Sequence, residues 1–238
     1  MILRFAQTAA LCALALPAHA ACRQALAIGM DVSGSVDSTE YQLQLNGMAN
    51  ALQHPDVVAA LLAGPDAPVR LSLFEWSGPG LQRVIAPWAE IATFEDLAAL
   101  TQIIRQTPRL IGDPSTAIGA AMTYGVALLA LQPDCPKRTL DLSGDGPSNT
   151  GPRPQDTRGQ ADANGITING LVIGAPARRR NGPVQAGSED LWSYYTAYVI
   201  TGPEAFVEAA KGFDDFEAAM VRKLLRELQG PLFSALDQ

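Results

Sequence analysis

The sequence predicts one α/β domain: a mainly parallel sheet with helices on both faces and one antiparallel edge strand. Three observations carry this. Apolar segments of strand length alternate with helical patterns almost throughout. No internal repeat and no long linker divides the 238 residues. The composition, 47% hydrophobic and 17% charged, is that of a globular chain and excludes a disordered one. The net charge of −7 excludes nucleic acid as the main partner, because no positive field would draw phosphates.

Met1–Ala20 stands apart from the fold. Arg4 is its only charge, an apolar run extends from Phe5 to Leu16, and Pro17-Ala18-His19-Ala20 ends in an A-x-A pattern. This is the pattern of a secretory signal, so the mature chain is expected to start at Ala21, in the periplasm or outside the cell. Cys12 leaves with the signal, while Cys22 and Cys135 remain. In an oxidising compartment that even pair reads as a disulfide or as two buried thiols. The domain is expected over residues 22–230, with a tail at 231–238.

Gln24–Met30 is a short apolar run ending at Asp31 and reads as a buried strand. Ser38–Gln53 is helical, with Ser38 as N-cap. Val69–Trp76 alternates, Ser77–Gly80 turns and Leu81–Trp88 returns, which makes a hairpin and supplies the antiparallel edge strand. Thr93–Thr107 is an amphipathic helix. Ser115–Leu131 is a strongly apolar helix; its hydroxyls, its glycines and its place between two strands assign it to the sheet face rather than to a membrane. Lys137–Leu142 is a strand ending in Ser143-Gly144-Asp145-Gly146, and Gln155–Asn164 is a polar helix. Ile166–Ile173 is an apolar strand, Glu189–Tyr195 a helix, Ala205–Ala209 a short strand and Asp214–Leu228 a final amphipathic helix. Trp76, Trp88, Trp192, Tyr194 and Tyr195 read as core, and Arg178-Arg179-Arg180 as a solvated basic loop at the same end as the strand termini.

In an open parallel sheet, ligands bind beyond the carboxyl ends of the strands. There the first strand ends in Asp31-Val32-Ser33-Gly34-Ser35, the fourth delivers Asp145, and Thr116 opens the apolar helix between them. Two carboxylates and three hydroxyls, with no imidazole or thiolate, suit a hard divalent cation. The carboxylates offset its charge, and an open position would accept a carboxylate from a partner.

Asp31-x-Ser33-x-Ser35, the downstream Thr116 and Asp145 in Leu142-Ser143-Gly144-Asp145-Gly146 resemble the metal-ion-dependent adhesion site of von Willebrand factor A-type (VWA) domains. The resemblance covers nearly the whole mature chain and is nearest to stand-alone secreted bacterial members whose role is not established. It implies a doubly wound, Rossmann-like sheet of six strands, one an antiparallel edge. It also implies that Ser33, Ser35 and Thr116 meet the metal directly, while Asp31 and Asp145 act through water or behind the ligands. Mg²⁺ is the expected ion, with Mn²⁺ as the alternative, and a protein offering a carboxylate is the expected partner. Family members usually place Gly before the threonine. Here it is Ser115 after Asp113-Pro114, which leaves Asp113 as a helix cap or a further carboxylate. In the family topology the first and fourth strands are neighbours. Cys22 precedes Asp31 by nine residues and Cys135 precedes Asp145 by ten, so a bridge would sit at the sheet's far end.

Enzymatic readings fare poorly. After the signal, His54 is the only histidine, and no G-x-S-x-G surrounds any serine. A dinucleotide fold would need G-x-G-x-x-G or a Walker loop after the first strand, and Asp31–Asp37 is neither. The expectation is a binding module and no enzyme, with a metal-assisted hydrolase or a scaffold with a degenerate site as alternatives.

Overall fold

The computed structural model describes residues 22–110, 112–174 and 188–229. The expected signal, the tail at 231–238 and the Arg178-Arg179-Arg180 run lie outside them. Six strands form one sheet in the order β3-β2-β1-β4-β5-β6. They are β1 (Gln24–Asp31), β2 (Val69–Trp76), β3 (Gln82–Ile91), β4 (Lys137–Gly144), β5 (Thr167–Ile173) and β6 (Val207–Ala210). All neighbours are parallel except β2 and β3. This is the expected doubly wound arrangement with an antiparallel edge. β1 lies in the middle of the sheet, and all eight of its residues are buried.

The alternation of β1 explains the layering. Leu26, Ile28 and Met30 face one core, shared with α1 (Ser38–Leu52), α2 (Pro55–Leu62), α3 (Phe94–Arg105) and α7 (Phe216–Gln229). Ala25 and Ala27 face the other, shared with α4 (Ile118–Ala130), α5 (Pro154–Ala163) and α6 (Ser188–Tyr194). Successive side chains of a strand point to opposite faces, so a central strand must be apolar on both. None of the described helices is long and apolar enough to cross a membrane; α4 packs on the sheet as expected.

Several boundaries differ from expectation for local reasons. Asp37, not Ser38, caps α1: its carboxylate accepts from the Thr39 and Glu40 N–H groups, and Glu40 answers the Asp37 N–H, a reciprocal capping box. The apolar helix starts at Ile118 rather than Ser115, because residues 115–117 are held by other loops. The sequence reading missed α2, whose Pro55 sits in the first turn where a missing N–H costs nothing. Trp76 and Tyr195 are fully buried, whereas Trp88, Trp192 and Tyr194 are half-buried. The edges are short or irregular: β6 has four residues, and β3 carries Pro87 and pairs with β2 through register shifts.

Two devices pin β4. Cys22 and Cys135 form a disulfide, Cα–Cα 4.8 Å, which ties the starts of β1 and β4 together. On the α7 face, the buried Lys223 ammonium lies 2.5 Å from Asp141 and 2.9 Å from Glu227. Asn169 donates to Glu227 at 2.8 Å and accepts from the Phe206 N–H at 2.9 Å. Burial, with Glu227 beside it, pushes the Asp141 carboxyl well above the usual range. Asp141 lies inside a run that the sequence presents as a plain strand.

Removing the disulfide, which closes a loop of more than a hundred residues, lowers the unfolding free energy by about 2–5 kcal/mol. Denaturant titration of a Cys22→Ala/Cys135→Ala protein checks this. Lys223→Met leaves two buried carboxylates without their cation and costs about 3–5 kcal/mol in the same titration.

Candidate metal centre

The site forms where two neighbouring strands send the chain to opposite faces. β1 leads to α1 on one face, and β4 leads to α5 on the other. The loops therefore part and leave a cleft over the strand ends. β1 carries Asp31 into full burial, and the turn that follows folds back over it. The Ser33 N–H donates to Asp31 Oδ1 at 2.8 Å, and the Val36 N–H donates to the Ser33 carbonyl at 3.1 Å. This places the Ser33 and Ser35 hydroxyls 3.3 Å apart.

Ser35 Oγ donates to Asp145 Oδ1 at 2.7 Å. Thr116 Oγ1 lies 3.3 Å from Ser33 Oγ. Asp31, Ser33, Ser35, Thr116 and Asp145 thus form one hydrogen-bonded network drawn from three loops. Ser33 and Thr116 are buried, Asp145 is half-buried and Ser35 is exposed, so the network opens to solvent on the Ser35 side.

Thr116 is held by residues that sequence reasoning missed. Its N–H donates to Asn149 Oδ1 and its carbonyl accepts from the Asn149 N–H, both at 2.9 Å. The Ser148 hydroxyl donates to the same carbonyl at 3.2 Å. The Ser115 departure is absorbed locally. Ser115 N–H and Oγ both donate to Asp113 Oδ1, at 2.9 and 2.6 Å, while the Gly34 N–H donates to the Pro114 carbonyl at 2.9 Å. Asp113 is therefore neither a cap of α4 nor part of the donor network. The hydrogen bonds from Ser115 hold its carboxyl below the usual range.

Asp31 shows the strain of the arrangement. Burial pushes its carboxyl up to about 7, against the pull of the Ser33 N–H and hydroxyl, and the Asp145 charge adds to the rise. Its Oδ2 is buried without a hydrogen bond of normal geometry, although the Asp145 N–H faces the carboxylate. An orphaned carboxylate oxygen beside three hydroxyls and a second carboxylate fits a hard cation. Among the described residues no three His, Cys, Asp or Glu side chains gather to hold a metal, so hydroxyl donors are what distinguish this set.

A family model described as "Protein of unknown function (DUF1194)" matches residues 21–232. No curated protein matches the chain. Among solved structures, proximal thread matrix protein 1 from the mussel byssus matches with a TM-score of 0.62 and 16% identity, over 87% of this chain and 48% of that one. A further structure of that protein, described as having a zinc-occupied MIDAS motif, gives 0.59 and 15%, over 88% and 46%. A von Willebrand factor type A protein from Catenulispora acidiphila gives 0.56 and 15%, over 87% and 42%. The chain spans about half or less of the length of these structures. What they share with it is the fold.

In chelator, the Asp31 contribution to stability falls as pH rises from about 4 to about 7. The folded carboxyl of Asp31 titrates near 7 against 3.8 unfolded, so the unfolded chain releases its proton first and gains from rising pH. The loss from this group is about 4 kcal/mol at most. Thermal melts of wild type and Asp31→Asn across that window check it: the variant's profile is the flatter.

Proposed function

We propose, for a chain that belongs to the family described as protein of unknown function (DUF1194) and folds as a VWA-type domain, a role as an exported, non-enzymatic binding module. It holds a divalent cation at Asp31, Ser33, Ser35, Thr116 and Asp145, and the cation binds a carboxylate on a protein partner. The observation that carries this reading is the orphaned, buried Asp31 Oδ2 within a network of three hydroxyls and a second carboxylate.

The donor chemistry supports Mg²⁺, with Mn²⁺ as the alternative: all oxygen, largely neutral, open on one side. The cation's contribution would be a concentrated positive charge that a partner carboxylate can reach. A zinc-occupied motif in a structure of similar fold supports a divalent ion in general. Export is supported by the disulfide, which persists in oxidising compartments, together with the signal-like Met1–Ala20. The non-enzymatic reading is supported by the place of His54: it stands at the N-cap position of α2, beyond the end of α1 remote from the Asp37 cap.

A thermal melt in chelator, then with Mg²⁺ or Mn²⁺, tests the reading. At a hundredfold excess over Kd a ligand of the folded state adds about 2.7 kcal/mol, which raises Tm by roughly 5–10 °C in a domain of this size. Asp31→Ala is expected to lose the response. A wild type that does not respond to millimolar metal with acetate present would leave the domain a scaffold with a degenerate site. An equal response in the variant would place the metal elsewhere.

A further inference from the structure

Tyr195 is a fully buried tyrosine behind the centre, and nothing in the donor set accounts for it. It opens a five-residue π-helical turn, Tyr195–Val199, directly after α6. The Ile200 N–H reaches back to its carbonyl at 3.0 Å. Such turns are rare and recur at functional sites. Tyr194 and Tyr195 then serve different loops. The Tyr194 hydroxyl accepts from the Ser148 N–H at 3.3 Å, beside the anchor of Thr116. Tyr195 points into the sheet, fully buried, and its Oη has no partner.

Two glycines on adjacent strands admit its ring. A Cβ at Gly170 of β5 would lie 2.6 Å from the ring, and a Cβ at Gly144 of β4 would collide with the hydroxyl itself. The same Cβ at position 144 would come within 3.1 Å of Asp31 Oδ2 and 3.5 Å of the Trp76 ring. The side-chain-free face of Gly144 is therefore shared by the Tyr195 hydroxyl, the orphaned Asp31 oxygen and the Trp76 indole. Trp76 Nε1 is also buried without a partner. Two unpartnered donors and one unpartnered acceptor around one small space are chemically complementary. Buried polar groups of this kind are satisfied by one another or through a shared water.

We propose that Tyr195 is a positioning residue of the metal centre: its hydroxyl donates to Asp31 Oδ2 through one water beside Gly144, and so fixes the carboxylate behind the cation. The inference rests on the metal reading above. Outer partners of this kind typically govern metal affinity by 10–100-fold. Tyr195→Phe keeps the ring and removes only the donor. Calorimetric titration with Mg²⁺ or Mn²⁺ is expected to show binding 10–100-fold weaker than wild type, with the Tm in chelator unchanged or higher. A merely structural tyrosine would give the opposite: a lower Tm and unchanged affinity. Equal affinity in the two proteins overturns the proposal.

A second measurement needs no metal. In protein labelled with [13Cζ]tyrosine, the resonance missing from Tyr195→Phe is expected to shift in Asp31→Asn. An unmoved resonance overturns the proposal. If wild type binds no metal, the proposed function fails alone, and this resonance still decides whether the two side chains are coupled.

Discussion

A carboxylate withdrawn from water at the end of the middle strand sets the terms for the whole upper end of this molecule. Asp31 is buried because β1 is buried, and β1 is buried because helices cover both faces of the sheet. A charge in that position is expensive unless something answers it. The turn that returns Ser33 over Oδ1 answers one oxygen. The other oxygen turns toward Gly144 and Tyr195, and the two serines and Thr116 present their hydroxyls nearby. The loops that carry these groups come from three separate places in the chain and are tied by backbone bonds, Gly34 to Pro114 and Asn149 to Thr116, while Ala117 is held to Ser77 of the turn after β2.

The strand β4 links this end to the rest. Its start is tied to the start of β1 by the disulfide. Its middle holds Asp141 against Lys223 of α7, and its last residue, Gly144, borders Asp31. A single eight-residue strand thus joins a covalent tie, a buried ion cluster and the candidate centre. Its start is thereby fixed to β1 and its middle to α7.

The fold was legible because its signals are local. Apolar runs of strand length, a hairpin turn at Ser77–Gly80 and helical patterns between them fix element order, and parallel sheets with crossovers leave few topologies. The five candidate residues, which the structure brings into one network, could be read because four sit in short motifs at strand ends and Thr116 stands just before a helix. What supports them could not. Asn149, Ser148 and Tyr195 lie 33, 32 and 164 residues from the groups they serve or border, and nothing in their own neighbourhoods marks them. Asp141 alternates correctly with Leu140 and Leu142, so its charge hides within a strand pattern until Lys223, on the last helix, supplies the reason. The start of α4 moved because a distant side chain, Ser148, accepts from the Ile118 N–H.

The sheet's two borders have a consequence for how this chain meets other proteins. One border is a four-residue strand; the other carries Pro87 and an irregular register. Neither offers the long, regular row of free amide and carbonyl groups on which an added strand could grow. Recruitment by sheet extension is blunted at both sides. A protein docking on this domain would instead meet surfaces formed by helices and by the loops at the sheet's ends.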